Sequence, residues 1–73
     1  MYIEIRKHGS DELISDKLRT VHFGGILPQL NDILHIRPKD CVEKYKEKGF
    51  KGIILEREYI KYDTCILRVF EKK

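Results

Sequence analysis

The chain has 73 residues, of which 41% are hydrophobic and 37% charged, and its formal net charge is +3. A chain this short folds as a single domain over residues 1–73, is too apolar to stay disordered, and has little room for a deep substrate cleft. Its apolar runs fall far short of the roughly 20 residues of a bilayer span, no basic leader precedes an apolar stretch, and two cysteines make no disulfide scaffold, so a cytoplasmic protein with no membrane partner is expected.

Residues 2–6 (Tyr2-Ile3-Glu4-Ile5-Arg6) alternate apolar and polar side chains, the period of a half-buried strand. His8-Gly9-Ser10-Asp11 is turn chemistry, and residues 12–18 fit neither period for long. Arg19-Thr20-Val21-His22-Phe23 is rich in β-branched and aromatic residues and predicts a second strand ended by Gly24-Gly25. In Leu27-Pro28-Gln29-Leu30-Asn31-Asp32, Pro28 lacks a backbone donor and Asn31 tolerates positive φ, which predicts a tight turn into a third strand, Ile33-Leu34-His35-Ile36. Arg37-Pro38 stops that strand. Asp40 followed by Glu43 partly matches a capping box, and Gly49 suits the residue after a helix, so one short helix is predicted near 40–48, with Cys41, Val42 and Tyr45 on its inner face. Two turns are too few to stand alone, so this helix must dock.

Residues 50–60 and 65–71 read as a β-hairpin. A two-residue loop in plain register would set Arg57 opposite Arg68, and like charges directly opposite destabilise a strand pair. A slip of one residue, through a three-residue loop, brings Glu56 or Glu58 to Arg68 instead. It also gathers Ile53, Leu55, Tyr59, Cys65, Leu67 and Val69 on one core face, with Arg57 as its one charge. The other face then holds Ile54, Ile60, Ile66 and Phe70 among Glu56, Glu58 and Arg68, more apolar than an ordinary solvated face. The expected fold class is therefore β-rich: about five strands, partly rolled into a small barrel, with one short helix.

The stretch Leu27-Pro28-Gln29-Leu30-Asn31-Asp32-Ile33-Leu34-His35-Ile36 resembles the "L-P-x-x-G-D-x-L-x-I" turn and strand of small SH3-like and related β-barrels, with Asn31 where the glycine usually stands. The hairpin at 50–71 is similar in placement to the one that closes such barrels. The resemblance implies a small barrel that binds a protein segment or nucleic acid, and it assigns no functional residue.

Little in the chain points to catalysis. No pair of cysteines or histidines has the short spacing of a zinc site, so no metal and no cofactor are expected. His22 and His35 read as strand histidines on a wetted face. Cys41 and Cys65 read as small core hydrophobes rather than nucleophiles. Gly24-Gly25 is not a phosphate loop, and the paired carboxylates Asp11/Glu12 and Glu56/Glu58 are solvated. The chain is thus expected to be no enzyme and to take no small-molecule substrate.

Two interaction surfaces remain. The outer hairpin face, through Ile54, Ile60, Ile66, Arg68 and Phe70, suits a protein partner or a homodimer, since aromatic and arginine side chains anchor interfaces. The alternative is nucleic acid. Residues 37–51 hold Arg37, Lys39, Lys44, Lys46, Lys48 and Lys51 against Asp40, Glu43 and Glu47. Lys44, Lys46, Lys48 and Lys51, with Tyr62 and Arg68, would track a phosphate backbone and stack on its bases. Lysines interleaved with glutamates also make an ordinary solvated surface.

Overall fold

The computed structural model describes residues 1–72. Five strands run β1 (Tyr2–Lys7), β2 (Leu13–Arg19), β3 (Ile33–Ile36), β4 (Phe50–Lys61) and β5 (Thr64–Glu71). They form one curled half-barrel sheet in the order β2-β1-β5-β4-β3. All neighbours are antiparallel except β1 and β5, which run parallel from Tyr2 opposite Thr64 to Lys7 opposite Val69. The inner face collects Ile3, Ile5, Ile14, Leu18, Leu34, Ile36, Phe50, Ile54, Cys65, Leu67 and Val69, all buried, into one core. The alternation read from Tyr2–Arg6 places Ile3 and Ile5 inward, as strand pleating requires.

The expected β-rich class holds, with five strands, but one of them lies elsewhere. The strand expected over Arg19–Phe23 ends at Arg19, and Thr20–Phe23 is a single 3₁₀ turn. Gly24 and Gly25, both at positive φ, bring their N–H groups back to Val21 and Thr20 carbonyls, and this closure overrides the strand preference of Thr20 and Val21. The segment 12–18, which lacked a clear period, supplies β2 instead. The turn before β3 is as expected: Asn31 takes φ 74°, Pro28 is buried, and the Asp32 carboxylate accepts the Gln29 N–H at 2.9 Å.

The helix expected near 40–48 is replaced by two separate 3₁₀ turns, Pro38–Asp40 and Glu43–Tyr45. Two contacts explain this. The Val42 N–H, which a helix would leave free for capping, donates to the Ile14 carbonyl of β2 at 2.8 Å, and the Ser15 hydroxyl donates to the Asp40 carbonyl at 2.6 Å. The segment is thus tied to an edge strand before it can wind. Gly49 still closes it at φ 77°, its N–H on the Tyr45 carbonyl, in a place where a Cβ would lie 2.5 Å from the Ile36 carbonyl oxygen. Cys41 and Tyr45 pack inward, Tyr45 edge-on to Phe50 at 5.3 Å between ring centroids. The segment therefore fills the mouth between β2 and β3 and leaves the outer face of the sheet uncovered.

The hairpin meets the charge constraint by a different route. Its loop has two residues, Tyr62 and Asp63, with Lys61 opposite Thr64, and a register shift at Ile60 supplies the one-residue slip expected from a longer loop. Glu56 accordingly faces Arg68, and Arg57 faces Leu67. A second shift at Leu55 restores the opposite alternation, so Ile54 faces Val69 in the core while Ile53 faces Phe70 outside. The core face therefore contains Cys65, Leu67 and Val69 as expected but exchanges Ile53 and Leu55 for Ile54. Arg57 on that face is half-buried and donates to the Pro28 carbonyl at 3.2 Å, a snorkelling position at the barrel mouth.

Ile54 is fully enclosed and Leu55 is 41% exposed. Ile54→Ala is expected to lower stability by about 2–5 kcal/mol and Leu55→Ala by less than about 1 kcal/mol, since only the first leaves a cavity. Urea unfolding of the two variants checks the placement of the bulge.

Candidate functional site

The outer face of the sheet divides into an apolar and a charged half. On the apolar half, Ile33, Ile53 and Phe70 stand in cross-strand register on β3, β4 and β5. Ile33 is 48% and Phe70 57% exposed. Directly opposed residues share a face and touch, so the three make one continuous row. Two residue pairs further along, on the same face, His35 faces Lys51.

The charged half is a connected network. Arg68 donates from Nε to Asp11 Oδ1 at 2.9 Å and from Nη1 to Glu58 Oε1 at 2.7 Å, and these two carboxylates push its pKa up. Arg6 joins the same loop, donating to Glu4 Oε2 at 2.7 Å and to the Asp11 carbonyl at 2.8 Å. His8 Nε2 lies 3.1 Å from Glu56 Oε1. Lys7 and Glu71, 3.4 Å apart, belong to the opposite face, in the inward series of Ile5, Leu67 and Val69 beside the mouth segment.

Of the residues assigned to a protein partner, Phe70 and Ile60 are exposed, but on different parts of the hairpin. Arg68 borders the apolar row and is held by its two carboxylates. Ile54 and Ile66 require correction: both are buried, Ile54 by the bulge that turns it inward and Ile66 in the centre of the sheet between Glu4 and Glu58. Pairing along the β5 edge is excluded as well, because β1 and β4 occupy both of its sides. Ile33 and Ile53 are the members of the row that sequence reasoning missed. The available signal was the apolar first residue of β3, whose register on β4 no local pattern states.

The basic residues scatter. Lys44 donates to Glu12 Oε2 at 2.6 Å, and Tyr45 donates from its hydroxyl to Glu12 Oε1 at 2.6 Å. Tyr62 stands 97% exposed on the hairpin turn, away from the basic stretch, and Arg68 is neutralised. Lys46, Lys48 and Lys51 are exposed. Two open grooves meet on this side. The first, of about 520 Å³, lies between Leu18, the Thr20–Phe23 turn and β3, and its wall includes His22, His35, Arg37 and Asp40. The second, of about 450 Å³, is lined by His35, Ile36, Arg37, Pro38, Lys48 and Lys51 among others. His22 Nδ1 lies 3.0 Å from the Arg19 N–H nitrogen and 3.2 Å from the Arg19 carbonyl oxygen, which fixes the ring against that residue. Arg37 lies 3.2 Å from Asp40.

Both cysteines are buried and free. Burial pushes both thiols up, so neither is poised as a thiolate. Among the described residues no group of three or more His, Cys, Asp or Glu side chains is placed to hold a metal ion, and no helix is long and apolar enough to cross a membrane. Comparison with known protein families, curated proteins and solved structures gives no match.

The Glu12–Lys44–Tyr45 contact joins the β1–β2 turn region to the mouth segment. The Lys44 hydrogen bond, then that of Tyr45, holds the Glu12 carboxyl below its ordinary range. Burial, then the bond to Glu12, raises Tyr45 from 10.0 to about 12. The folded state thus holds the tyrosine proton more tightly than the unfolded chain. This contribution is complete below pH 10.0 and is lost as pH rises through about 12. Tyr45→Phe is expected to remove a tyrosinate transition near pH 12 and to flatten the loss of stability across that window. Ultraviolet titration and alkaline melting curves check both effects.

Proposed function

We propose that the chain is a non-catalytic interaction module that binds a protein partner through the outer face of its sheet, a second copy being the simplest such partner. The observation that carries this reading is the row Ile33–Ile53–Phe70, three large apolar side chains in register on a face that no segment of the described chain covers. An apolar centre bordered by charges of both signs is the usual anatomy of an interface, and aromatic side chains commonly anchor it. His8–Glu56 and Arg68 with its carboxylates form that border. Both signs on one rim suit an isologous contact, in which the same patch meets itself across a two-fold axis. The turn and strand at Leu27–Ile36, set on a curled five-stranded sheet, agree with an SH3-like barrel, a fold class that includes binders of protein segments.

Sedimentation equilibrium of the full chain tests the reading. The wild type is expected to associate reversibly, and added salt should not dissolve the contact, because apolar burial drives it. Phe70→Lys should leave a monomer whose melting temperature lies within about 4 °C of the wild type, as an exposed substitution allows. A wild type that stays monomeric at high concentration, or a Phe70→Lys chain that associates as before, would count against this face.

A further inference from the structure

We propose that the two grooves meeting at His35–Arg37 form a binding track for single-stranded nucleic acid, separate from the apolar row and independent of the protein-partner reading. The argument begins with sign. Both grooves share His35, Ile36 and Arg37 as a common wall. The second adds Lys48 and Lys51, and among the described residues no carboxylate lines it. The first contains one carboxylate, Asp40, which is already paired with Arg37 at 3.2 Å. Among the described residues Lys48 and Lys51 enter no ion pair, in contrast to Lys7, Lys44 and Arg68, which all do. Unneutralised cations collected in a concave wall favour an anion.

Shape narrows the anion. The track is a pair of connected hollows of about 520 and 450 Å³ rather than a flat face, which suits an extended strand better than a rigid duplex. Its walls also carry apolar surface, from Phe23 and Val21 in the first groove and Pro38 in the second. His22 and His35, both exposed, add planar rings. Cations for a phosphodiester backbone beside apolar and planar surface for bases is the combination that single-strand binders use. The track differs from the surface of four lysines, Tyr62 and Arg68 expected from the sequence. It keeps Lys48 and Lys51, excludes Lys44, Lys46, Tyr62 and Arg68, and recruits His22, His35 and Arg37.

Fluorescence anisotropy with a labelled single-stranded oligonucleotide of mixed sequence tests this. The two unpaired cations, Lys48 and Lys51, should give log K against log salt a slope of about −1.4, at roughly −0.7 per neutralised phosphate. Lys48→Glu/Lys51→Glu should weaken binding by about 10-fold or more, whereas Lys7→Glu/Lys44→Glu, the same charge change made elsewhere, should weaken it by less than about 3-fold. All four lysines are at least partly exposed, so both variants should keep the fold, and circular dichroism confirms it. Equal weakening by the two pairs would reduce the effect to net charge and overturn the site. So would a duplex or polyglutamate that displaces the strand at equal concentration, or an absence of binding at low salt. None of these outcomes bears on self-association through Phe70, which the sedimentation experiment reads separately.

Discussion

The structure depends on the position of β5. It lies between β1 in parallel and β4 in antiparallel pairing, and Cys65, Ile66, Leu67 and Val69 along it are buried. Such a strand must satisfy its backbone on both edges, and here the partners are the first strand of the chain and the strand just before it. The sheet is therefore partly non-local: one of the two neighbours of β1 is a segment some sixty residues downstream. Contacts of that kind close late and slowly. Once β5 is in place, β2 and β3 are left as the two ends of the curl. Everything between them, the Thr20–Phe23 turn and the Pro38–Gly49 segment, then serves to close the mouth.

The two register shifts in β4 decide which side chains meet solvent. Without the shift at Ile60, Arg57 would face Arg68 across the hairpin. With it, Glu56 faces Arg68 and an opposed pair of like charges becomes a complementary one. Without the shift at Leu55, Ile53 would be inside and Ile54 outside. With it, Ile54 completes the core against Val69, and Ile53 joins Ile33 and Phe70 on the outer face. The apolar row is thus a consequence of a bulge that repairs the core.

Charge is arranged with the same economy. Arg68, Arg6 and their carboxylates form a closed network over the centre of the sheet, above Ile66, and leave little free charge there. Among the described residues Lys48 and Lys51, which enter no ion pair, lie at the other end, beside the mouth. His35 and Lys51 follow Ile33 and Ile53 along the same two strands, so the apolar row and the cationic track are adjacent but chemically distinct. A small domain can still present two surfaces of this kind, because its sheet has an outer face as well as a mouth.

What the sequence determined by itself is what depends on neighbours in the chain. The alternation of Tyr2–Arg6, the turn set by Pro28 and Asn31, the short strand Ile33–Ile36 and the long hairpin all follow from local pattern, as does the left-handed Gly49. The repulsion between Arg57 and Arg68 even showed that the hairpin must slip, because both charges lie within one supersecondary unit. Tertiary structure decided the rest. Val42 and Ser15 bind across to elements distant in sequence, and these contacts unwind the helix that Asp40, Glu43 and Gly49 would locally favour. The bulge at Leu55 depends on what Ile54 can bury against Val69, and a shift of one residue exchanges two faces of a strand. That is why Phe70 was legible as an outward residue while Ile53 and Ile33 were not, and why His22 and Lys48, twenty-six positions apart, come to line adjoining grooves.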